Sequence, residues 1–166
     1  MRVAALYDIH GNLPALEAVL QEVAQAGVDQ IVVGGDVFSG PMPQETFDCL
    51  LHLSLPVHFI RGNADREVLE QIIGSNIDAL PEEIREVTQW AAQQLKPQHV
   101  QSIASWLATL RLDISGLGEV LFCHATPRSD TELFTRLTPE ERLLPLFTRI
   151  KIPRAVGHLW SYPYAV

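Results

Sequence analysis

Basic residues are scarce in this sequence. Its 166 residues include 12 lysines and arginines against 20 aspartates and glutamates, which gives a formal net charge of −8. Nucleic acids and anionic lipid surfaces bind patches with an excess of lysine and arginine, because these residues neutralise the partner's negative charge. The sequence contains no such cluster. We therefore expect no binding to nucleic acid polymers and none to membranes.

Cysteines and long apolar runs are also rare. Cys49 and Cys123 are the only thiols, and two distant cysteines in a chain of this size favour a reducing compartment over a disulfide framework. The apolar start of the chain is broken at Asp8 and His10, so it fits neither a secretion signal nor a membrane span. These features predict a cytoplasmic protein. The length suits one domain over residues 1–166, since single cores usually span about 50 to 200 residues.

Short apolar segments alternate with helical ones over the first 73 residues. The run MRVAALYD predicts a strand, and the next segment places Leu13, Leu16, Leu20 and Val23 at helical spacing before Gly27. The same unit recurs as QIVVGGD followed by PQETFDCLLHL, and as PVHFIRGN followed by DREVLEQII. Strands that alternate with helices predict an α/β protein with a largely parallel sheet.

The pattern changes in the second half of the chain. Two helices are predicted at PEEIREVTQWAAQQL and PQHVQSIASWLATL, and the strands LRLDI and EVLFCHA are joined by SGLG, which suits a hairpin with glycine at positive φ. Thr138 and Glu141 have the spacing of a capping box, which predicts a helix over TPEERLLPLFTRI. The segment PRAVGH predicts a last strand.

Polar residues cluster where these predicted strands end. In an open parallel sheet the carboxyl ends of the strands form the ligand-binding edge, because loops from several strands converge there. Two Asp, one Asn and three His offer only oxygen and imidazole nitrogen, which suits Mn²⁺, Fe, Zn²⁺ or Ni²⁺ better than Ca²⁺. Each motif taken alone has an ordinary explanation as a capping loop, a tight turn or a core histidine. These six candidate ligands are Asp8, His10, Asp36, Asn63, His124 and His158, and Asp65 follows the same predicted strand as Asn63.

Five motifs in order resemble those of the calcineurin-like metallophosphoesterases. That family's pattern is D-x-H, then G-D, then G-N-x-[D/E], then a lone His, then G-H-x-H. It stands here as DIH at 8–10, GD at 35–36, GNAD at 62–65, CHA around His124 and GHLW at 157–160. The forms DIHGN and GN-x-D-R look closest to the small bacterial and archaeal phosphodiesterase-like branch. The resemblance implies an α/β fold, a four-layer αββα sandwich with mixed sheets.

The resemblance also implies a role for each matched residue. Asp8 and His10 would bind one divalent metal, Asp36 would bridge two, and Asn63, His124 and His158 would complete the second site. Asp65 would steer a neighbouring ligand by hydrogen bonding, so Asp36, Asn63 and Asp65 are the expected catalytic set. Asn12 and Arg66 are candidate substrate-binding contacts to phosphate, since a guanidinium has the planar fork that fits it.

Two positions depart from the family pattern. Ala64 stands where many members have a histidine thought to protonate the leaving group. Trp160 replaces the second histidine of G-H-x-H, and an indole has no lone pair to offer a cation. Members of the family usually continue beyond this motif, so we expect a shortened C-terminus with strands missing. An uncovered sheet edge would then suit a homo-oligomer.

The expected function is hydrolysis of a small phosphoester or nucleotide-like substrate by metal-activated water at a centre of two divalent metal ions. The alternative is a degenerate member of the fold that acts as a protein-interaction scaffold. Six of the seven family ligand positions are kept, which favours the enzyme. A dinucleotide-binding domain is disfavoured, because no G-x-G-x-x-G follows the first strand.

Overall fold

A three-stranded parallel sheet forms the first half of the fold. The computed structural model describes residues 1–75, 77–147 and 154–157. The strands lie in the order β1-β2-β3, and a helix follows each strand, as the alternating pattern predicts. These elements are β1 (Val3–Leu6), α1 (Leu13–Gln25), β2 (Gln30–Val33), α2 (Pro43–Leu51), β3 (Val57–Phe59) and α3 (Asn63–Ile72).

The second half contains a mixed sheet. Strand β4 pairs with β5 in antiparallel fashion, and β5 pairs with β6 in parallel. The predicted α/β class with mixed sheets and flanking helices is therefore confirmed. The described helices include none with the length and unbroken apolar sequence of a bilayer span. These elements are α4 (Glu82–Gln94), α5 (Pro97–Ser105), β4 (Thr109–Ile114), β5 (Gly118–Cys123), α6 (Glu140–Phe147) and β6 (Arg154–Val156).

Strand β2 is buried on both faces and organises two hydrophobic clusters. Val32 points towards the second sheet, where it packs in one cluster with Ile60 and Phe122. Ile31 and Val33 point the other way, because side chains alternate along a strand. They belong to a larger cluster with residues of α1, α2 and α5, namely Leu16, Val23, Phe47, Leu50 and Ile103. The first sheet is thus held between helices and the second sheet, which fixes its strand ends.

Two local predictions in the second half have different outcomes. Gly116 and Gly118 have φ angles of 85° and 73°, so the predicted hairpin with glycine at positive φ is confirmed. The predicted capping box of α6 is wrong. The hydroxyl of Thr138 accepts a hydrogen bond from the backbone N–H of Thr135 at 2.8 Å, which lies before the helix and not within its first turn.

Candidate metal centre at the strand ends

The loops after β1 and β2 run side by side and hold their side chains in unusual backbone conformations. The N–H groups of Asp8 and His10 donate to the carbonyls of Gly35 and Asp36, at 3.2 and 2.8 Å. Asp8, His10 and Asp36 have φ angles of 53°, 47° and 59°. Left-handed backbone is uncommon outside glycine and carries a cost, and such residues concentrate at functional sites. Three predicted ligands share this conformation.

The Asp65 carboxylate holds the Asp36 loop through hydrogen bonds to its backbone. Its side chain is fully buried, and its carboxylate accepts hydrogen bonds from the backbone N–H groups of Asp36, Val37 and Gly62 at 2.8, 2.8 and 3.1 Å. A longer contact joins it to the N–H of Phe38, at 3.4 Å. The hydrogen bonds of Asp65 therefore support the backbone that carries Asp36.

Asp8, His10 and Asp36 form a group that could hold a metal ion. One ligand atom of each lies within 4.8 Å of the others. Ligands on opposite sides of one ion, with bonds of about 2.1 Å, are separated by about 4 Å. Nδ1 of His10 donates to the carbonyl of Ser39 at 3.1 Å, so Nε2 carries the lone pair. That atom lies 3.8 Å from Asp36 Oδ2. The donor set and its tautomer fit a divalent cation.

His124 and Asn63 approach Asp36 from the other side. His124 follows β5, and its Nδ1 lies 2.8 Å from the carbonyl of Gly34, which again leaves Nε2 for the site. This Nε2 lies 3.4 Å from Asp36 Oδ2 and 3.9 Å from Asp8 Oδ1. A terminal atom of the Asn63 side-chain amide lies 3.2 Å from the same Nε2. The structure therefore gathers four predicted ligands, from three other chain segments, around Asp36.

Opposing effects set the pKa values of this buried cluster. Burial acts to lower the pKa of His124, but its hydrogen bond to Asp36 and the Asp36 charge outweigh burial and raise the pKa to about 9. The pKa of Asp36 is lowered, because His124 and His10 outweigh the effect of burial. Burial and the charge of Asp36 raise the pKa of Asp65 to about 7, although three backbone N–H groups act in the opposite direction.

Cation affinity is expected to rise with pH between 6 and 8.5. A cation needs the lone pair of His124 Nε2, which carries a proton below its pKa of about 9 in the metal-free protein. Release of one proton per cation raises the affinity by about tenfold per pH unit. Titration calorimetry with Mn²⁺ at several pH values measures this slope. His124→Gln should bind more weakly and lose the slope, whereas a flat profile in the wild type would contradict the prediction.

Gly62 allows the loop after β3 to approach Asp36 closely. A methyl group at this position would lie 2.1 Å from Asp36 Oδ1 and 2.6 Å from the Asp36 backbone nitrogen. We expect Gly62→Ala to lower the free energy of unfolding by about 1 to 3 kcal/mol, as overpacking usually does, and to weaken Mn²⁺ binding. Chemical denaturation and calorimetry measure the two effects.

Gly116→Ala is the matched control for Gly62→Ala. A methyl group on Gly116 would meet no atom within 4 Å, and its cost is the left-handed backbone of the hairpin, about 1 to 2 kcal/mol. Its Mn²⁺ affinity should equal that of the wild type. Equal affinity in Gly62→Ala would show that the contact with Asp36 does not shape the site.

The two predicted phosphate contacts are engaged elsewhere. The Arg66 guanidinium donates to Asp130 at 2.7 Å through Nε, and to Glu70 at 3.1 Å through Nη1. The side-chain oxygen of Asn12 accepts from the N–H of Ala15 at 3.2 Å and caps α1. A phosphate would have to compete with these carboxylates for Arg66. The substrate-binding roles of Asn12 and Arg66 remain predictions.

Two predicted site positions fall on residues that the structure does not describe, and two residues near the site were not predicted. His158 and Trp160 fall in the undescribed segment 158–166, so the last ligand and its altered neighbour stay predictions. Glu67, which contacts Asn63, and Asp130, which contacts Arg66, were not predicted. The spacing of Asn63 and Glu67, one helical turn apart, was the available signal for the first contact.

Two cavities open beside His124. One of about 150 Å³ is lined by Asn63 and Asp130. The other, of about 350 Å³, is lined by Arg61, Thr126 and Arg128. A few polar groups that converge on a cavity are the features that orient a bound ligand.

The chain is similar to proteins with phosphoesterase names. Phosphodiesterase YfcE of Escherichia coli strain K12 is 34% identical over an alignment 88 residues long, which covers 48% of this chain and 48% of that protein. An uncharacterised protein of Methanocaldococcus jannaschii is 27% identical over 139 residues, which cover 83% of this chain and 54% of that protein. The chain thus spans about half the length of these curated relatives.

Solved structures and a family model agree with these similarities. A hypothetical protein from Pyrococcus horikoshii shares the fold with a TM-score of 0.80 at 18% identity, over 93% of this chain and 68% of that one. A metallophosphoesterase from Sphaerobacter thermophilus has a TM-score of 0.68 at 28% identity, over 95% and 59%. The model of the calcineurin-like phosphoesterases matches residues 1–161. Since this match covers nearly the whole sequence, the chain belongs to the calcineurin-like phosphoesterase family.

Proposed function

We propose that this protein is a metal-dependent hydrolase of phosphoesters, either a phosphodiesterase or a phosphatase, that acts on small or nucleotide-like substrates. The observation that carries this proposal is the convergence on Asp36 of His10 Nε2 and His124 Nε2, at 3.8 and 3.4 Å. Both histidines direct the other ring nitrogen to a backbone carbonyl. Family membership supports the same reaction class, and the similarities to named phosphoesterases give no support to the scaffold alternative.

The residues would hold two divalent cations. Asp8, His10 and Asp36 would bind one, and Asp36, Asn63 and His124 would bind the other, with His158 as the further ligand that the sequence predicts. When bound, two such ions supply a nucleophilic water at neutral pH and stabilise charge on the transferred phosphoryl group. The donors are oxygen and imidazole nitrogen, which suits Mn²⁺, Fe, Zn²⁺ or Ni²⁺.

Asp36, Asp65 and Ala64 have different roles in the proposed reaction. The Asp36 carboxylate would keep two bound cations close together, and its Oδ1 accepts a hydrogen bond from the N–H of Ala64 at 2.8 Å. Asp65 holds the backbone of Asp36 in its left-handed conformation through buried hydrogen bonds. Ala64 has no proton to give, so the leaving group must take its proton from water or from another residue.

The cavities beside His124 are where the substrate would bind. Arg61, Arg128 and Thr126 line the larger one, and their donors suit the oxygens of a phosphoester or of a sugar. Arg128 already pairs with Glu132 at the surface. Among the arginines that line this cavity, Arg61 has no carboxylate within 4.0 Å in the described part of the chain, which leaves it to contact an anionic group.

Metal-dependent hydrolysis of chromogenic esters tests the proposal. We expect purified protein, stripped with EDTA and reloaded with Mn²⁺, to hydrolyse bis(p-nitrophenyl) phosphate or p-nitrophenyl phosphate, and EDTA to abolish the activity. The ratio of the two rates separates a phosphodiesterase from a phosphatase. Failure to hydrolyse either ester with Mn²⁺, Fe²⁺, Zn²⁺ or Ni²⁺ would overturn the proposal.

A further inference from the structure

The side-chain amide of Asn63 can adopt two orientations that exchange the positions of its oxygen and its NH₂ group. As it lies in the structure, its oxygen faces His124 Nε2 and the backbone carbonyl of Asp130, each at 3.2 Å. If the amide turned over, its NH₂ group would donate to the Asp130 carbonyl, and to Nε2 when that nitrogen carries no proton, and its oxygen would face the N–H of Ala64 at 3.2 Å. Only the first orientation presents an oxygen electron pair beside His124.

Glu67 favours the orientation in which the oxygen faces His124. Asn63 begins α3, and Glu67 follows one turn later on the same face. The NH₂ group of Asn63 donates to Glu67 Oε1 at 3.4 Å. In the reverse orientation two oxygens would meet at this distance and repel each other. The N–H of Ala64 gains little from the reversal, because it already donates to Asp36 Oδ1 at 2.8 Å.

The surroundings of Glu67 hold its carboxylate in place. The residue is only 7% exposed. Arg66 Nη2 lies 3.6 Å from Glu67 Oε1, and the same guanidinium binds Asp130, whose backbone carbonyl faces Asn63. The buried Glu67 carboxylate and the Asp130 carbonyl therefore lie on opposite sides of the Asn63 amide and compete for its NH₂ group.

We propose that Glu67 is a positioning residue that holds the Asn63 amide with its oxygen towards His124, so that these two side chains present electron pairs to the same cation. The proposal rests on the cation site of the proposed function and names a residue beyond the family motif that determines its affinity. Partners that orient metal ligands in this way typically change metal affinity by about 10- to 100-fold.

A double-mutant cycle on Mn²⁺ affinity tests this role. Glu67→Gln keeps the shape of the side chain but loses its charge, and its NH₂ group can donate to a reversed Asn63. We expect it to weaken Mn²⁺ binding at the Asn63 site by about 10- to 100-fold in calorimetry. Asn63→Asp has two equivalent oxygens, so its orientation no longer matters. In that background Glu67→Gln should leave the affinity unchanged or raise it, since a neighbouring negative charge is removed.

The outcomes separate positioning from a merely structural role. A residue that only holds α3 together would cause the same loss in both backgrounds, and that result would overturn the proposal. So would an unchanged affinity of Glu67→Gln in the wild-type background. Glu70→Gln is the matched control, because Glu70 binds Arg66 from the next turn of α3. It should leave the Mn²⁺ affinity within about threefold of the wild-type value, below the range of ligand-orienting partners.

A measurement without metal or substrate distinguishes this proposal from the proposed function. In metal-free wild-type protein, nuclear Overhauser effects are expected between the Asn63 NH₂ protons and the γ-protons of Glu67. In Glu67→Gln these effects should weaken, because the NH₂ group can then turn towards the backbone carbonyl of Asp130. Contacts to His124 in the wild type would overturn the positioning role and leave the proposed hydrolysis standing. Conversely, a protein that passes both tests but hydrolyses no phosphoester would overturn only the function.

Discussion

Replacing Asp36 with asparagine is expected to abolish metal-dependent hydrolysis while the protein stays folded. Asp36 Oδ2 lies 3.4 Å from His124 Nε2 and 3.8 Å from His10 Nε2, so it is the acid common to both candidate sites. Asparagine has the same shape and can still accept from the N–H of Ala64. It lacks the charge needed to hold two cations close together. Mutation of a residue that only hydrogen-bonds to a metal ligand typically lowers activity by about 10- to 100-fold. The loss of a direct ligand should therefore lower activity by more than about 100-fold.

The comparison for Asp36→Asn uses an aspartate of the other sheet. Asp113 is exposed on β4, and Asp113→Asn should keep wild-type activity and Mn²⁺ affinity. Steady-state rates with Mn²⁺, together with thermal unfolding in EDTA, separate lost chemistry from lost folding. If folded Asp36→Asn kept activity within about tenfold of the wild-type rate, the bridging role would be wrong. Mutation of a residue that merely orients a metal ligand often lowers activity by that factor.

Replacing Asp65 with alanine is expected to have the largest effect on stability. Three backbone N–H groups, those of Asp36, Val37 and Gly62, would lose their acceptor in a buried environment. Each such loss costs about 1 to 3 kcal/mol, which amounts to roughly 3 to 9 kcal/mol. A domain of this kind has only about 5 to 15 kcal/mol of stability. We therefore expect Asp65→Ala to be largely unfolded, as measured by urea denaturation followed by circular dichroism.

Two further variants make the Asp65 result interpretable. Asp65→Asn keeps one oxygen acceptor, so it should fold and lose less stability than Asp65→Ala. Asp113→Ala removes an exposed carboxylate and should stay within about 0.5 kcal/mol of the wild type. All measurements are made in EDTA, so that bound cations do not offset the loss. An Asp65→Ala protein within about 1 kcal/mol of the wild type would mean that Asp65 does not support the Asp36 loop.

The gathering of the site could be predicted because it depends on strand order. Asp8, Asp36 and Asn63 each follow a strand of one parallel sheet, and parallel strands end at a common edge. His124 reaches the same place from the second sheet, where its position at the end of a predicted strand and the family resemblance both put it. The left-handed backbone of three candidate ligands was not predicted, because it depends on hydrogen bonds between two loops that are distant in sequence.

Contacts between side chains were harder to predict than the elements that carry them. Arg66 has the right chemistry for a phosphate, but the chain returns 64 residues later and places Asp130 against its guanidinium. Thr138 has the capping-box spacing, yet its hydroxyl accepts a hydrogen bond from the backbone N–H of Thr135. Both outcomes depend on loop paths, for which a sequence carries no periodic signal. The Asn63–Glu67 contact, by contrast, follows from helical geometry and could be predicted in similar sequences.

Anomalous diffraction from crystals of the Mn²⁺-loaded protein tests the central claim most directly. Data collected at the manganese absorption edge locate the cations without reference to activity. We expect two peaks that share Asp36, one bound by Asp8 and His10 and the other by Asn63 and His124. Asp36→Asn crystals grown in the same way should lose both peaks. A fully loaded wild-type crystal with no peak on Asp36, or with manganese bound only elsewhere, would contradict the account.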